Sequence, residues 1–84
     1  MPRVVVVGLG PAGPDLLTAG TLAAIDAVAH RFVRTRRHPA ATAVPDAVDF
    51  DDLYDAASSF EDVYAAIVDA VVAAAVEHGE VLYA

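Results

Sequence analysis

Apolar and polar positions follow two different periods along this chain, and the points where the period changes divide it into elements. Val4-Val5-Val6-Val7 is an unbroken β-branched run. Such a run is the pattern of a strand covered on both faces, so residues 3–7 read as a central strand. The run drops into Gly8-Leu9-Gly10-Pro11-Ala12-Gly13-Pro14-Asp15, a loop rich in glycine and proline. Residues 16–28 then read as a helix in which Leu17, Ile25 and Val28 share a face with Leu22 or Ala24. Thr18 is placed to cap it, and Gly20 weakens it slightly.

Residues 30–35 alternate as a second strand through Arg31, Phe32, Val33 and Arg34. Arg36-Arg37-His38-Pro39 is a polar connection, because the residue before a proline is biased away from helix. Ala40 to Val44 read as a short helix ended near Pro45, Val48 to Phe50 as a short strand, and Asp51 to Ala57 as a helical turn. The strongest periodicity lies between Phe60 and His78. There Phe60, Val63, Tyr64, Ile67, Val68, Val71 and Val72 recur at helical spacing and read as a stripe packed on a sheet. Ser59 with Asp62 makes a capping box, Glu61 and Asp62 suit the positive end of the helix dipole, and Gly79 suits the stop. Glu80 to Ala84 read as a fourth strand.

The order β-α-β-(α)-β-α-β predicts an α/β fold, an open parallel sheet with helices on both faces. In such sheets ligands sit at the carboxyl ends of the strands, so the Gly8–Asp15 loop is the first place to look for chemistry. The chain stops at an apolar strand, which would leave an edge prone to aggregation. Residues 1–84 are therefore expected to be one incomplete unit of a larger protein.

Composition changes this picture in two respects. There is no cysteine, which excludes disulfides, thiolate metal sites and cysteine nucleophiles. No apolar run approaches the ~18 residues of a membrane span, and the opening run is too short for a signal peptide. A soluble, cytoplasmic protein is expected. Net charge is −7, unevenly spread: all five arginines lie between Arg3 and Arg37, and from Asp46 onward there is no lysine or arginine. A nucleic-acid surface needs a sustained basic patch, which Arg31, Arg34, Arg36, Arg37 and His38 do not make. A small-molecule substrate is the expected partner.

Four groups of residues bear on chemistry. Gly8, Gly10 and Gly13 have the dinucleotide spacing, but Pro11 and Pro14 interrupt it. The acidic ribose partner expected ~20 residues further on is replaced by Arg34 and Thr35. NAD(P) binding, with a 2′-phosphate at Arg34, is kept as a minor alternative. Arg34, Arg36, Arg37 and His38 end the second strand near the same edge, and arginine forks bind carboxylates and phosphates. They are candidate contacts for an anionic substrate; the alternative is a solvated basic turn paired with the acidic second half. Asp49, Asp51, Asp52 and Asp55 lack the glycine and terminal glutamate of a calcium loop and read as a solvated helix start. His30, His38 and His78 are not spaced as a metal set.

The opening resembles the tetrapyrrole (corrin/porphyrin) methylase superfamily. That family begins with a strand, a loop of the form Gly-x-Gly-Pro-Gly-Asp-x-x-Leu-Leu-Thr, and a helix. Gly8-Leu9-Gly10-Pro11 and Leu16-Leu17-Thr18 match at the right spacing, whereas Ala12-Gly13-Pro14-Asp15 departs from the middle. Val33-Arg34-Thr35-Arg36-Arg37-His38-Pro39, Phe50-Asp51-Asp52-Leu53-Tyr54, Phe60-Glu61-Asp62-Val63-Tyr64 and Val81-Leu82-Tyr83-Ala84 are similar to one subgroup. In that subgroup the methylase-like domain is fused to a MazG-type nucleoside triphosphate pyrophosphohydrolase.

The resemblance implies the N-terminal half of a tetrapyrrole-methylase-like fold and an S-adenosylmethionine-dependent methyltransferase. It assigns Gly8, Gly10 and Pro11 to the cofactor side, Pro11 standing where the family's first-loop proline meets S-adenosylmethionine. Arg34 stands where the family's uroporphyrinogen methylases carry a catalytic carboxylate, and an arginine cannot act as a base. The family's main cofactor loop would follow Ala84, so this stretch alone is expected to be inactive as a methyltransferase. A non-catalytic accessory or regulatory role beside a fused MazG-like domain is the alternative, and a homodimer is also compatible with the family.

Overall fold

A computed structural model describes residues 1–10, 12–56 and 58–84. Its elements are β1 (Arg3–Val6), a 3-10 turn (Pro14–Leu16), α1 (Ala19–Ala27), β2 (Arg31–Val33), a second 3-10 turn (Ala41–Ala43), β3 (Val48–Asp49), α2 (Asp51–Ala56), α3 (Phe60–His78) and β4 (Glu80–Tyr83). The four strands form one sheet in the order β1-β4-β2-β3. Every pairing is parallel.

Successive side chains of β4 point to opposite faces, and the two cores divide accordingly. Leu82 joins Leu9, Ile25, Val28, Val33, Ala40 and Val44 on the face covered by α1. Val81 joins Phe50, Val63, Ile67, Val71 and Ala75 on the face covered by α3. Val81 and Leu82 are completely buried, as expected for a strand with neighbours on both sides and helices on both faces. The α/β class with helices on both faces is the observed architecture.

The ends of α3 are set by the residues that sequence spacing picks out. Ser59 Oγ accepts the amide of Asp62 at 3.3 Å. Gly79, with φ of 87°, donates its amide to the carbonyl of Ala75. That left-handed conformation disfavours any residue with a Cβ. α1 is shorter than expected. Thr18 caps it by accepting the Thr21 amide at 3.1 Å, so Leu16 and Leu17 lie before the helix, and within α1 only Ile25 is buried.

Two expectations are corrected. β1 is an edge strand, not a central one. Val5 and Val7 pack against the α1-side core, but Val4 and Val6 are exposed, Val6 at 70%. Four valines therefore satisfy a strand that is covered only in part. The α3 stripe is likewise split. Val63, Ile67 and Val71 are buried with Ala75, while Phe60, Tyr64, Val68 and Val72 stay exposed. Adjacent residues stand about 100° apart around a helix of 3.6 residues per turn, so Tyr64, Val68 and Val72, each one position after Val63, Ile67 and Val71, turn away from the sheet. The second row and the edge strand line an apolar groove through Val4, Val6, Tyr64, Val68 and Val72.

Candidate functional site

The carboxyl ends of β1, β4 and β2 meet at one point. Val7 donates its amide to Tyr83 O at 3.0 Å, and Arg34 donates its amide to Ala84 O at 3.0 Å. These backbone bonds bring the loop after β1 beside the loop after β2. Between them lies a cleft of about 210 Å³ lined by Val7, Gly8, Leu9, Arg34, Thr35, His38 and Ala84. A ligand pocket is usually ~300–1,000 Å³, so this cleft fits one end of a cofactor-sized molecule.

The loop after β1 is shaped by three residues. Leu9 is buried in the α1-side core and anchors it. Gly10 has φ of 71°, a conformation open to glycine at little cost. Gly8 is exposed, and among the described residues, its chain neighbours aside, a Cβ built there would meet no atom within 4 Å. The space beside Gly8 is therefore open to a ligand approaching the backbone. Pro11, the third expected cofactor contact, lies outside the described residues.

The four expected substrate contacts do different things. Arg36 turns inward along its own loop. Its guanidinium donates to Ala41 O at 3.3 Å, Val44 O at 3.0 Å and Ala47 O at 2.5 Å, stapling the connection between β2 and β3. Arg37 pairs with Asp55 at 3.5 Å, an exposed contact of small value. His38 lines the cleft, but both ring nitrogens are engaged, with Ala40 N and Gly10 O. Arg34 is exposed and lines the cleft; among the described residues its guanidinium has no carboxylate or carbonyl partner. Of the four, Arg34 is the cation directed at this space that is left for a ligand.

Sequence reasoning missed the brace behind this cluster. Asp51, at the start of α2, accepts the Thr35 hydroxyl at 2.5 Å and the Arg36 amide at 3.0 Å. The Thr35 and Arg36 hydrogen bonds, and then the nearby Arg37 and Arg36 charges, hold its carboxyl below the ordinary value. The acidic run looked like a solvated helix start, and nothing in its spacing marks one aspartate as reaching back to β2. His30 and His78 stack with ring centroids 3.7 Å apart, away from His38. Among the described residues no three metal-binding side chains come together. No described helix is long and apolar enough to cross a membrane.

The chain is thus a parallel α/β domain with a cleft at the carboxyl ends of its strands. The sequence profile of the Tetrapyrrole (Corrin/Porphyrin) Methylases matches residues 3–84, and the chain belongs to that family. The family carries an S-adenosylmethionine-dependent methyltransferase-like domain. No curated protein and no solved structure matches the chain.

Proposed function

We propose that the cleft between Gly8 and Arg34 binds S-adenosylmethionine and presents its methyl group to an anionic small molecule. The observation that carries this reading is the open face of Gly8 beside a cation, Arg34, whose guanidinium has no carboxylate or carbonyl partner among the described residues. Bound S-adenosylmethionine supplies an electrophilic methyl on a sulfonium. The chain's own residues do the positioning, which is most of what such a displacement asks of a protein. The Gly8–Gly10 backbone approaches the cofactor closely. Arg34 orients the carboxylate or phosphate of the acceptor. Arg36 supports the loop and does not contact the ligand.

Equilibrium dialysis with S-adenosylmethionine and, separately, NADP⁺ tests this reading. Saturable retention of S-adenosylmethionine, displaced by S-adenosylhomocysteine, is expected. Retention of NADP⁺ alone would favour the dinucleotide alternative and overturn it.

One observation favours a second reading. Counted without gaps from Gly8, the family resemblance puts Arg34 where the uroporphyrinogen methylases carry a catalytic carboxylate, and a guanidinium cannot take a proton. In that reading the domain senses a ligand in support of a fused MazG-type pyrophosphohydrolase and transfers no methyl group. Transfer of labelled methyl from S-adenosylmethionine to any acceptor by the protein that carries this domain would exclude it.

A further inference from the structure

His38 and the carbonyl of Gly10 are 28 residues apart in sequence and belong to different loops, yet they meet at 2.5 Å. The other side of the ring fixes the chemistry of this contact. His38 Nδ1 lies 2.9 Å from the amide nitrogen of Ala40. An amide nitrogen only donates, so Nδ1 accepts and the ring proton sits on Nε2. Nε2 therefore donates to the Gly10 carbonyl. One imidazole reads one backbone donor and one backbone acceptor, and each contact enforces the tautomer the other needs.

We propose that His38 is a positioning residue: from the loop after β2 it clasps the Gly10 carbonyl and so holds the Gly8–Gly10 backbone in its ligand-facing shape. The functional consequence rests on the ligand reading above; the clasp does not.

Two further observations support it. A clasp is only as firm as its anchor, and this anchor is firm. Ala40 is completely buried, Asp51 ties Thr35 and Arg36, and Arg36 ties three carbonyls of the following connection. On the other loop, Leu9 is held in the core, so Gly10 is where the backbone leaves it, in a left-handed conformation. His38 acts at that point of departure. A loop held in place before binding spares the ligand the cost of ordering it.

Two conservative substitutions separate the halves of the clasp. In His38→Asn the carboxamide oxygen stands near the Nδ1 position and keeps the Ala40 turn, with no atom to reach Gly10. In His38→Gln the amide nitrogen stands near Nε2 and keeps the Gly10 contact. The experiment uses the whole chain and reads imidazole ¹⁵N shifts, backbone order parameters and S-adenosylmethionine affinity.

The wild-type ring is expected as the Nε2–H tautomer. Order parameters at Gly8 and Gly10 are expected at about 0.85 in the wild type and His38→Gln, falling toward about 0.6 in His38→Asn. Affinity should fall roughly three- to tenfold in His38→Asn and recover in His38→Gln. An Nδ1–H tautomer, or unchanged loop order in His38→Asn, would overturn the proposal. If the tautomer and loop order come out as expected while no form binds S-adenosylmethionine, the clasp stands and the ligand reading fails.

Discussion

Asp51 and Thr35 are joined by a 2.5 Å hydrogen bond from the Thr35 hydroxyl to the aspartate. The second carboxylate oxygen takes the Arg36 amide at 3.0 Å, so the first residue of α2 holds the loop that leaves β2. This loop bears Arg34 on its cleft side and His38 at its far end. The bond therefore links a helix start to the geometry of the candidate site.

This link makes stability depend on pH in a defined direction. The Asp51 carboxyl is held below its ordinary value of 3.8. A depressed folded-state value stabilises the fold fully above the unfolded value. That stabilisation is lost as pH falls below about 4 and through the depressed folded value. Urea midpoints should fall between pH 6 and pH 3, and Asp51→Asn should flatten that fall while lowering the midpoint at pH 6. An equally steep acid limb in Asp51→Asn would remove Asp51 from the explanation.

The two apolar rows of α3 should respond very differently to truncation. Ile67 is 5% exposed and Val68 is 58% exposed. Ile67→Ala should cost about 2–5 kcal/mol, through lost transfer energy and the cavity left behind. Val68→Ala should stay within about 0.5 kcal/mol. Chemical denaturation of both variants is sufficient to check this. Equal losses would mean that the outer row is covered.

The arginines separate in the same way. Arg36→Gln removes donors from three carbonyls and should cost about 1–3 kcal/mol of stability. Arg34→Gln should leave the melting temperature unchanged and weaken binding of a carboxylate-bearing ligand roughly tenfold. Thermal melts with and without the ligand distinguish the two roles.

Gly8 and Gly10 make a third contrast. Gly10→Ala forces a Cβ into the left-handed region and should cost about 1–2 kcal/mol. Gly8→Ala meets open space within the protein, so its stability should hold. The added methyl instead occupies the ligand's side of the backbone, and binding should fail there first. A stable Gly8→Ala variant with unchanged affinity would place the ligand elsewhere.

Much of the architecture was legible because it rests on local chemistry. Thr18, Ser59 and Gly79 mark helix ends through hydrogen bonds and backbone angles that need only near neighbours. The parallel order follows from alternating elements and the handedness of crossovers. Strand order depends on which strand pairs with which, so the apolar run at Val4–Val7 was compatible with centre and edge alike. The nearness of Gly8 and Arg34 was legible, because each follows a strand of one parallel sheet, and both line the cleft. It was not legible at Asp51, nor in the opposite roles of Arg34 and Arg36. Those roles depend on where a long side chain turns, which residue spacing does not reveal.

The most direct measurement is a titration of the protein with S-adenosylmethionine, followed through its backbone amide resonances. The predicted result is saturable shifts centred on Gly8, Leu9 and Gly10, lost in Gly8→Ala and reduced in His38→Asn. Shifts confined to other surfaces, such as the apolar groove between β1 and α3, would contradict a ligand site at the carboxyl ends of the strands.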